Sequence, residues 1–494
     1  MSCRKHSFEP DARPRMSRRA FAQSLLFGAL GVTLAPPAVA QENRNSDALW
    51  DVVVVGSGMA GLCAAISARE SGAQRVIILE KGPLIGGHSL YSSGSIAAVA
   101  PERAAPGSAF ADSPEAFVAD ALRAGGGTGN RRILARIAAE SGDALNWLEG
   151  MGVRFGRPFQ AHSGLNPRSF SMRGNSAGRS YILALAARAQ ALGIPFAMHA
   201  RAEGLTRIST NSGKLWRISA SSGGERRSYA AKRVVLATGG FSANIALRTR
   251  ILPMLTADVG TSANPDGACW EGADGDGIAL AEEAGGVFLE GFGLQLLPYW
   301  GGRLLDYAGG DIYVDAAGRR FVDEALPWTP IAEKILALPG KVFWVITDRQ
   351  SIKGATLGLK LLNGSVRKAD SIAEMADAMQ VSSDVLAATL AEYNAAVKKG
   401  FDPVTGKTTF TQTIDSPPFY FGREHIYVHT TLDGIATDDA ARVLDRSGKP
   451  IENLFAAGEL AGGIFGRDRL GGAGLANCLV MGREAGRFQA GHRR

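Results

Sequence analysis

Hydrophobic positions along the chain fall into runs of different period, and the first run is continuous. Val52 to Val55 shows no period-two alternation, the pattern of a strand buried on both faces of a parallel sheet. A helical run from Met59 to about Ser71 follows, and a second apolar strand, Arg75 to Leu79, ends on Glu80. Helical stretches are predicted at Pro114 to Ala124 and Asn130 to Met151. From Glu203 to Leu236 three β-like runs, split by "NSG" and "SSGG" turns, predict a meander feeding the strand "RVVLATGG" back into the first sheet. Near the end, "NLFAAG" reads as a short apolar strand, and a helix is predicted to start near Gly472. The order is that of an α/β protein with a parallel sheet. The mixed stretch from about Phe292 to Thr430, bounded by glycine-rich motifs, reads as a second domain inserted into the first.

Between the first strand and its helix lie Gly56, Gly58 and Gly61 in G-x-G-x-x-G spacing. Strand, glycine turn, helix, strand and acid in this register read as a dinucleotide site. Gly56 serves the tight turn, Gly58 lets a pyrophosphate approach the backbone, and Gly61 lets helix and strand pack closely. The helix N-terminus offers unpaired N–H groups to phosphate, and Glu80, roughly 20 residues on, suits the ribose hydroxyls.

Composition changes this picture little, except at the N-terminus. Apolar residues are 46% and charged residues 20%, ordinary for a globular enzyme of 494 residues, a length that suggests two or three domains. Residues 1–40 read as a twin-arginine signal peptide: Arg18-Arg19 and Phe21, the apolar run Leu25 to Leu34, and the small-residue cleavage pattern Ala38-Val39-Ala40. These residues carry six Arg or Lys and two Asp or Glu, so their removal takes the formal charge from +7 to +3. The mature chain is then only mildly basic, with no basic stripe to imply a nucleic-acid partner. It carries no stable membrane anchor, since the apolar run of the leader is too short to span a bilayer comfortably. Of Cys3, Cys63, Cys269 and Cys478, the first is in the leader, Cys63 reads as a small buried thiol, and the set lacks metal-like spacing. There is no C-x-x-C-H haem motif.

The fingerprint at Gly56, "ATGG" at Ala237, "GDGIALAEEAGG" at Gly275, "AAGE" at Ala456 and "RLGG" at Arg469 together resemble the FAD-dependent fumarate reductase and succinate dehydrogenase flavoprotein superfamily. That superfamily also holds urocanate reductases, tricarballylate dehydrogenases and 3-oxosteroid Δ1-dehydrogenases. The resemblance covers nearly the whole mature chain. It implies a Rossmann-like FAD-binding domain in two parts, 48–291 and 431–494, with an α+β capping domain, 292–430, inserted over the flavin. It also implies hydride transfer between flavin N5 and a carbon of a C–C or C=C bond beside a carbonyl or carboxylate. Gly56, Ser57, Gly58, Gly61 and Glu80 are implied for the ADP half, and Glu459 with Gly472, Gly474 and Leu475 for the ribityl and flavin half. Further cofactor contacts are implied at Lys81, Ser89, Gly94, Ser95, Ala237, Thr238, Gly239 and Asp276. A helix beginning at Gly472 would favour the reduced ring, which gains negative charge. His88 stands where membrane-bound relatives join FAD covalently; the preferred reading is a polar residue facing a noncovalent cofactor.

On the substrate side, "HTTLDG" resembles the family's H-x-T-M-G-G, which puts His429 and Thr431 at a substrate carboxylate, and Arg469 matches the clamping arginine whose planar fork suits two oxygens. Other positions depart. The family's second carboxylate-binding histidine becomes Leu297, its proton-donating arginine falls at about Trp328, and its Glu and Arg relay is not visible around "RLLDYAGG". The expected substrate is a carboxylate with an apolar portion, and standard fumarate reduction is not expected. Tyr299, Tyr307 and Arg303 are the candidate catalytic residues, with Asp306 in the same segment: a tyrosine as acid or base, or Arg303 polarising a carbonyl. A steroid-like enone dehydrogenase and a non-catalytic FAD electron carrier are the alternatives. With no haem or second flavin motif, electrons are expected to pass through a separate partner, a c-type cytochrome or a small carrier, in the periplasm.

Overall fold

The computed structural model describes residues 49–104, 111–173, 178–210, 213–305, 307–354 and 356–488. Residues 1–40, where a signal peptide is expected, and Asp306 lie outside the described residues.

Strand β1 (Leu49–Val55) is central to the main sheet. It pairs in parallel with β2 (Val76–Leu79) on one side, Val53 opposite Ile77. Its valines divide between two cores: Val52 and Val54 pack into the cluster containing helix α1 (Met59–Glu70), Val53 and Val55 into the cluster on the opposite face. That division is why the run shows no alternation of apolar and polar residues. Helix α1 is buried from Met59 to Ala68 and rich in alanine, so it sits tightly on the sheet. Gly56 turns the chain at φ +103°, a left-handed value that favours glycine, and a Cβ at Gly61 would lie 2.0 Å from the Gly56 carbonyl oxygen.

Beyond β2 the sheet continues to the short β3 (Phe196–Ala197). The expected meander is β4 (Arg201–Thr210), β5 (Gly213–Ser222) and β6 (Glu225–Leu236), paired antiparallel in sequence. The far end of β6 turns parallel and lies beside β1, Val234 opposite Val53. The late strand Pro450–Ala456 adds to the other edge of β6, Leu454 opposite Val234. The C-terminal ends of β1, β6 and this late strand therefore converge, and the glycine loops leave from there, the usual ligand-binding end of a parallel sheet.

The stretch 292–430 contains antiparallel strands and helices, as α+β composition requires. Strand β7 (Leu294–Leu297) is followed by β8 (Ile312–Val314), helix α2 (Trp328–Leu336), β9 (Val342–Thr347), β10 (Arg367–Ala369), β11 (Phe419–His425) and β12 (Tyr427–Thr431). One sheet runs in the order β8-β9-β11-β10. The motif "GRRFVDE" goes into its interior: Glu324 and Lys407, both fully buried, pair at 2.8 Å, and Arg320 pairs with Glu324 at 2.9 Å. Among the described residues strand β7 pairs only with β12, and the register slips between Gln295, opposite Thr430, and Leu296, opposite Val428. His429 is the residue left over. A bulge of this kind re-aims a side chain.

Candidate active site

Two adjoining cavities run from the glycine turn to the bulge, sharing His88, Ser89, Tyr91, Glu459 and Cys478 in their walls. The first, about 280 Å³, is lined by Gly56, Ser57, Gly58, Glu80, Lys81, Ala237, Thr238, Gly239 and Asp276 among others. Glu80 is fixed in its wall by the Ser57 hydroxyl, the Ser57 N–H at 3.0 Å and the Gly82 N–H at 2.6 Å. Lys81 is held by Asp274 and Asp276, each at 2.6 Å, and Arg201 braces both acids from outside. Gly61 lines neither cavity; it lies beneath, against Gly56, in the packing role its spacing implies.

This cavity fits a dinucleotide on its own evidence. A Cβ built on Gly58 would meet only the Gly86 carbonyl oxygen, at 3.9 Å, and otherwise project into open space. The Thr238 hydroxyl and one Asp276 oxygen are buried there without a partner. Buried polar atoms are rarely left unpaired in a native protein, so these await a bound group.

At the junction His88 approaches Glu271, Nε2 to Oε1 at 2.7 Å, as an ion-pair contact rather than an aligned hydrogen bond, since Nε2 has no hydrogen-bond partner. Burial pulls the imidazole toward neutrality, but Glu271 and the Glu459 charge outweigh it and raise the His88 pKa. Glu459 accepts from the Thr431 N–H at 2.9 Å and the Thr431 hydroxyl at 3.2 Å. Thr431 thus braces Glu459 while lining the second cavity.

The second cavity, about 140 Å³, is lined by Gly94, Ser95, Gly472, Gly474 and Leu475 and by His429, Thr431 and Arg469. The helix α3 (Ala473–Gly486) starts at its wall. His429 Nδ1 is 2.9 Å from the Ser262 hydroxyl. Burial, with Arg469 next in weight, holds the imidazole pKa well below the usual value, so it is neutral. The Arg469 guanidinium lies over Gly474, its Nε is buried without a partner, and it makes a long side-chain bond, 3.4 Å, to the Leu470 carbonyl. Among the described residues it has no carboxylate at ion-pair distance.

The three candidate catalytic residues line neither cavity. Tyr299 stands nearest: its ring is 5.7 Å from that of His429, and its hydroxyl donates to the Tyr91 carbonyl at 2.6 Å. Tyr307 is not brought to the site. Its ring packs against Leu304, Leu305 and Val366, and its hydroxyl accepts from the Ile352 N–H at 3.0 Å. Arg303 lies 4.9 Å over the Trp328 ring, with an unpartnered, buried Nε. Sequence reasoning missed Ser262 and Glu271, which come from a loop without periodicity, and His162, which stacks on Trp328 at 4.2 Å. Among the described residues no cluster of His, Cys, Asp and Glu could hold a metal ion, and no helix is long and apolar enough to cross a membrane.

Comparison with known proteins agrees with this geometry. The FAD binding domain family model matches residues 51–475. A probable fumarate reductase of Shewanella frigidimarina is 31% identical over 457 residues, covering 89% of this chain and 75% of the relative. The flavoprotein subunit of an acrylate reductase of Shewanella woodyi is 31% identical over 530 residues, covering 96% of this chain and 98% of the relative. Among solved structures, the open conformation of a flavocytochrome c3 fumarate reductase superposes with a TM-score of 0.69 at 30% identity, covering 89% of this chain and 78% of that one. Glycine register, paired cavities and these relatives converge: the chain belongs to the FAD-dependent fumarate reductase and succinate dehydrogenase flavoprotein superfamily and is an FAD-dependent oxidoreductase acting on C–C bonds.

Proposed function

We propose that the chain is an exported, periplasmic enzyme that moves a hydride between FAD and a C–C or C=C bond of a carboxylate-bearing substrate other than a standard dicarboxylate. The observation that carries this reading is the Arg469 guanidinium, its Nε unpartnered and no carboxylate at ion-pair distance among the described residues, lining the second cavity together with a neutral His429. Gly56, Ser57, Gly58, Glu80, Lys81, Ala237, Thr238, Gly239 and Asp276 would hold the ADP half of FAD. His88, Ser89, Gly94, Ser95, Glu459, Gly472, Gly474 and Leu475 would hold the flavin half. When bound there, FAD supplies hydride exchange at N5.

The chain's own groups then orient the substrate. Arg469 grips two carboxylate oxygens with its planar fork. His429 Nδ1 is engaged by the Ser262 hydroxyl, and in the tautomer in which that hydroxyl donates, the ring proton sits on Nε2 and donates to the same carboxylate. Arg303 is pinned on the Trp328 ring outside the lining of both cavities and is given no contact with the substrate. Residues 292–430 act as the cap, and Tyr299 ties that cap to the loop bearing Tyr91. Leu297, 6% exposed on β7, offers no donor to a second carboxylate. Electrons arrive from a separate protein or small carrier.

Steady-state reduction of a panel of enoates by reduced viologen tests this reading. An enoate should be turned over and its methyl ester, lacking the charge for Arg469, should be much poorer. Equal rates on enones that carry no carboxylate would instead favour a steroid-like dehydrogenase.

Two further outcomes are expected. His88 is engaged with Glu271, and FAD should come away from acid-denatured protein; flavin fluorescence remaining with the band on a denaturing gel would show a covalent bond. Changing Arg18 and Arg19 together to Lys should leave the full-length chain unprocessed in the cytoplasm, because a twin-arginine signal is read by a receptor. Normal cleavage after Ala40 in that variant would refute this export route.

A further inference from the structure

Trp270 and Leu84 both line the first cavity and keep 50% and 62% of their surface exposed. The indole is nevertheless closely seated. A Cβ on Gly82 would lie 2.4 Å from its Cη2 and 2.7 Å from its Cζ3, and one on Gly272 2.8 Å from Cη2. Neither glycine has a left-handed φ, so the backbone would accept a side chain at both. The indole takes the room those side chains would need. The residues on either side of it are held as well. The Asn264 side chain accepts from the Cys269 N–H at 2.9 Å and donates to the Cys269 carbonyl at 2.6 Å. The Glu271 carboxylate accepts from the Thr261 hydroxyl at 2.8 Å and the Ser242 hydroxyl at 3.2 Å.

This seat borders the ribose acceptor. The same Cβ on Gly82 would stand 3.0 Å from Glu80 Oε1, and that on Gly272 3.4 Å from Lys81 Cε. Gly58, which admits the pyrophosphate, has only the Gly86 carbonyl within 4 Å of its Cβ, so the indole is not at that end. In a dinucleotide the ribose stands between pyrophosphate and base. With the pyrophosphate at Gly58 and the ribose at Glu80, the base falls beyond Glu80, on the Trp270 side. Lys81 is engaged by Asp274 and Asp276 at 2.6 Å each, so a phosphate there would face two carboxylates. An uncharged aromatic ring meets no such conflict, and covering an exposed indole and an exposed leucine removes apolar surface from water.

We infer that Trp270 is the platform for the adenine ring of FAD, carried on a loop braced before the cofactor arrives. The inference rests on the ADP half lying in the first cavity. Indole and base attract through their π faces, and a loop already ordered gives up little freedom on binding, so the contact is realised as affinity. Trp270 lines the first cavity and not the second, so it acts on cofactor retention and leaves the Arg469 clamp alone.

Equilibrium dialysis of the full chain against FAD, alone and with ADP or FMN as competitor, tests it. Trp270→Ala should raise the Kd for FAD by about fivefold to a hundredfold, the usual range for losing one base–aromatic stack. ADP, which carries the adenine, should weaken as a competitor by the same factor. FMN, which lacks it, should compete against the variant as it does against wild type. Trp270→Phe keeps a ring and should recover most of the loss. Gly272→Ala puts a methyl where the indole sits, so it should weaken FAD and ADP as well, and added to Trp270→Ala it should cost nothing more. An unchanged Kd for FAD in Trp270→Ala overturns the platform. So does tighter binding, which would mean that the indole occupies the place of the base, and so does a loss shared equally by ADP and FMN. Each of these leaves the ADP site standing if Gly58→Val still loses FAD; FAD retained by both Trp270→Ala and Gly58→Val overturns the site itself.

Discussion

Arg469→Ala is expected to raise the Michaelis constant for a carboxylate substrate sharply and to lower kcat/KM by about 30-fold to several thousand-fold, with FAD content unchanged. The guanidinium is half-buried, over Gly474, with an unpartnered Nε and no carboxylate at ion-pair distance among the described residues. It is therefore free to take both oxygens of a substrate, a charge-assisted bidentate contact in a site shielded from water. Truncating one partner of such a pair costs about 2–5 kcal/mol, partly because the other charge is left buried and unpaired. At about 1.4 kcal/mol per tenfold this gives the range stated. His429→Ala should act on the same step less strongly, and the double variant should lose less than the two single losses combined, since both residues hold one group. Kinetics on an acid and its primary amide check this. An Arg469→Ala enzyme that separates acid from amide as the wild type does would remove the clamp from the account.

Gly58→Val is expected to yield folded protein with almost no bound FAD. Gly58 has φ −61° and ψ 175°, a conformation open to any L residue, and its Cβ direction leads into the first cavity. A branched side chain there occupies the place of the pyrophosphate without disturbing the strand, turn and helix around it. Gly61→Ala makes the contrast. Its methyl would sit 2.0 Å from the Gly56 oxygen, backbone against side chain, so the turn itself must shift and stability should fall. Flavin absorbance relative to protein, with circular dichroism for the fold, separates the two. Full FAD occupancy in folded Gly58→Val protein would place the pyrophosphate elsewhere.

Much of the frame was legible because it depends on local rules. Four consecutive valines can only serve two apolar faces, the three glycines each answer a steric demand of one turn, and the "NSG" and "SSGG" turns set the meander. Within the site, Glu80 lines the first cavity, and His429 and Arg469 line the second. What escaped is decided by tertiary path. Ser262, Glu271 and His162 sit on irregular segments, and nothing in their neighbours along the chain tells that they reach His429, His88 and Trp328. Tyr307 read as a possible acid because its segment covers the flavin in relatives, yet its hydroxyl is turned to the Ile352 N–H. Thr431 matched a substrate-holding position and is engaged by Glu459. Trp328 read as an apolar replacement for an arginine, whereas the structure shows it flanked by Arg303 and His162.

The most direct test of the account is anaerobic stopped-flow reoxidation of the reduced flavin by one conjugated acid and by the matched methyl ketone, in wild type and in Arg469→Ala. The account predicts fast, saturable reoxidation by the acid in wild type, slow reoxidation by the ketone, and loss of the difference in the variant. Reoxidation by the ketone at the acid's rate in wild type, unchanged by removing Arg469, would contradict it.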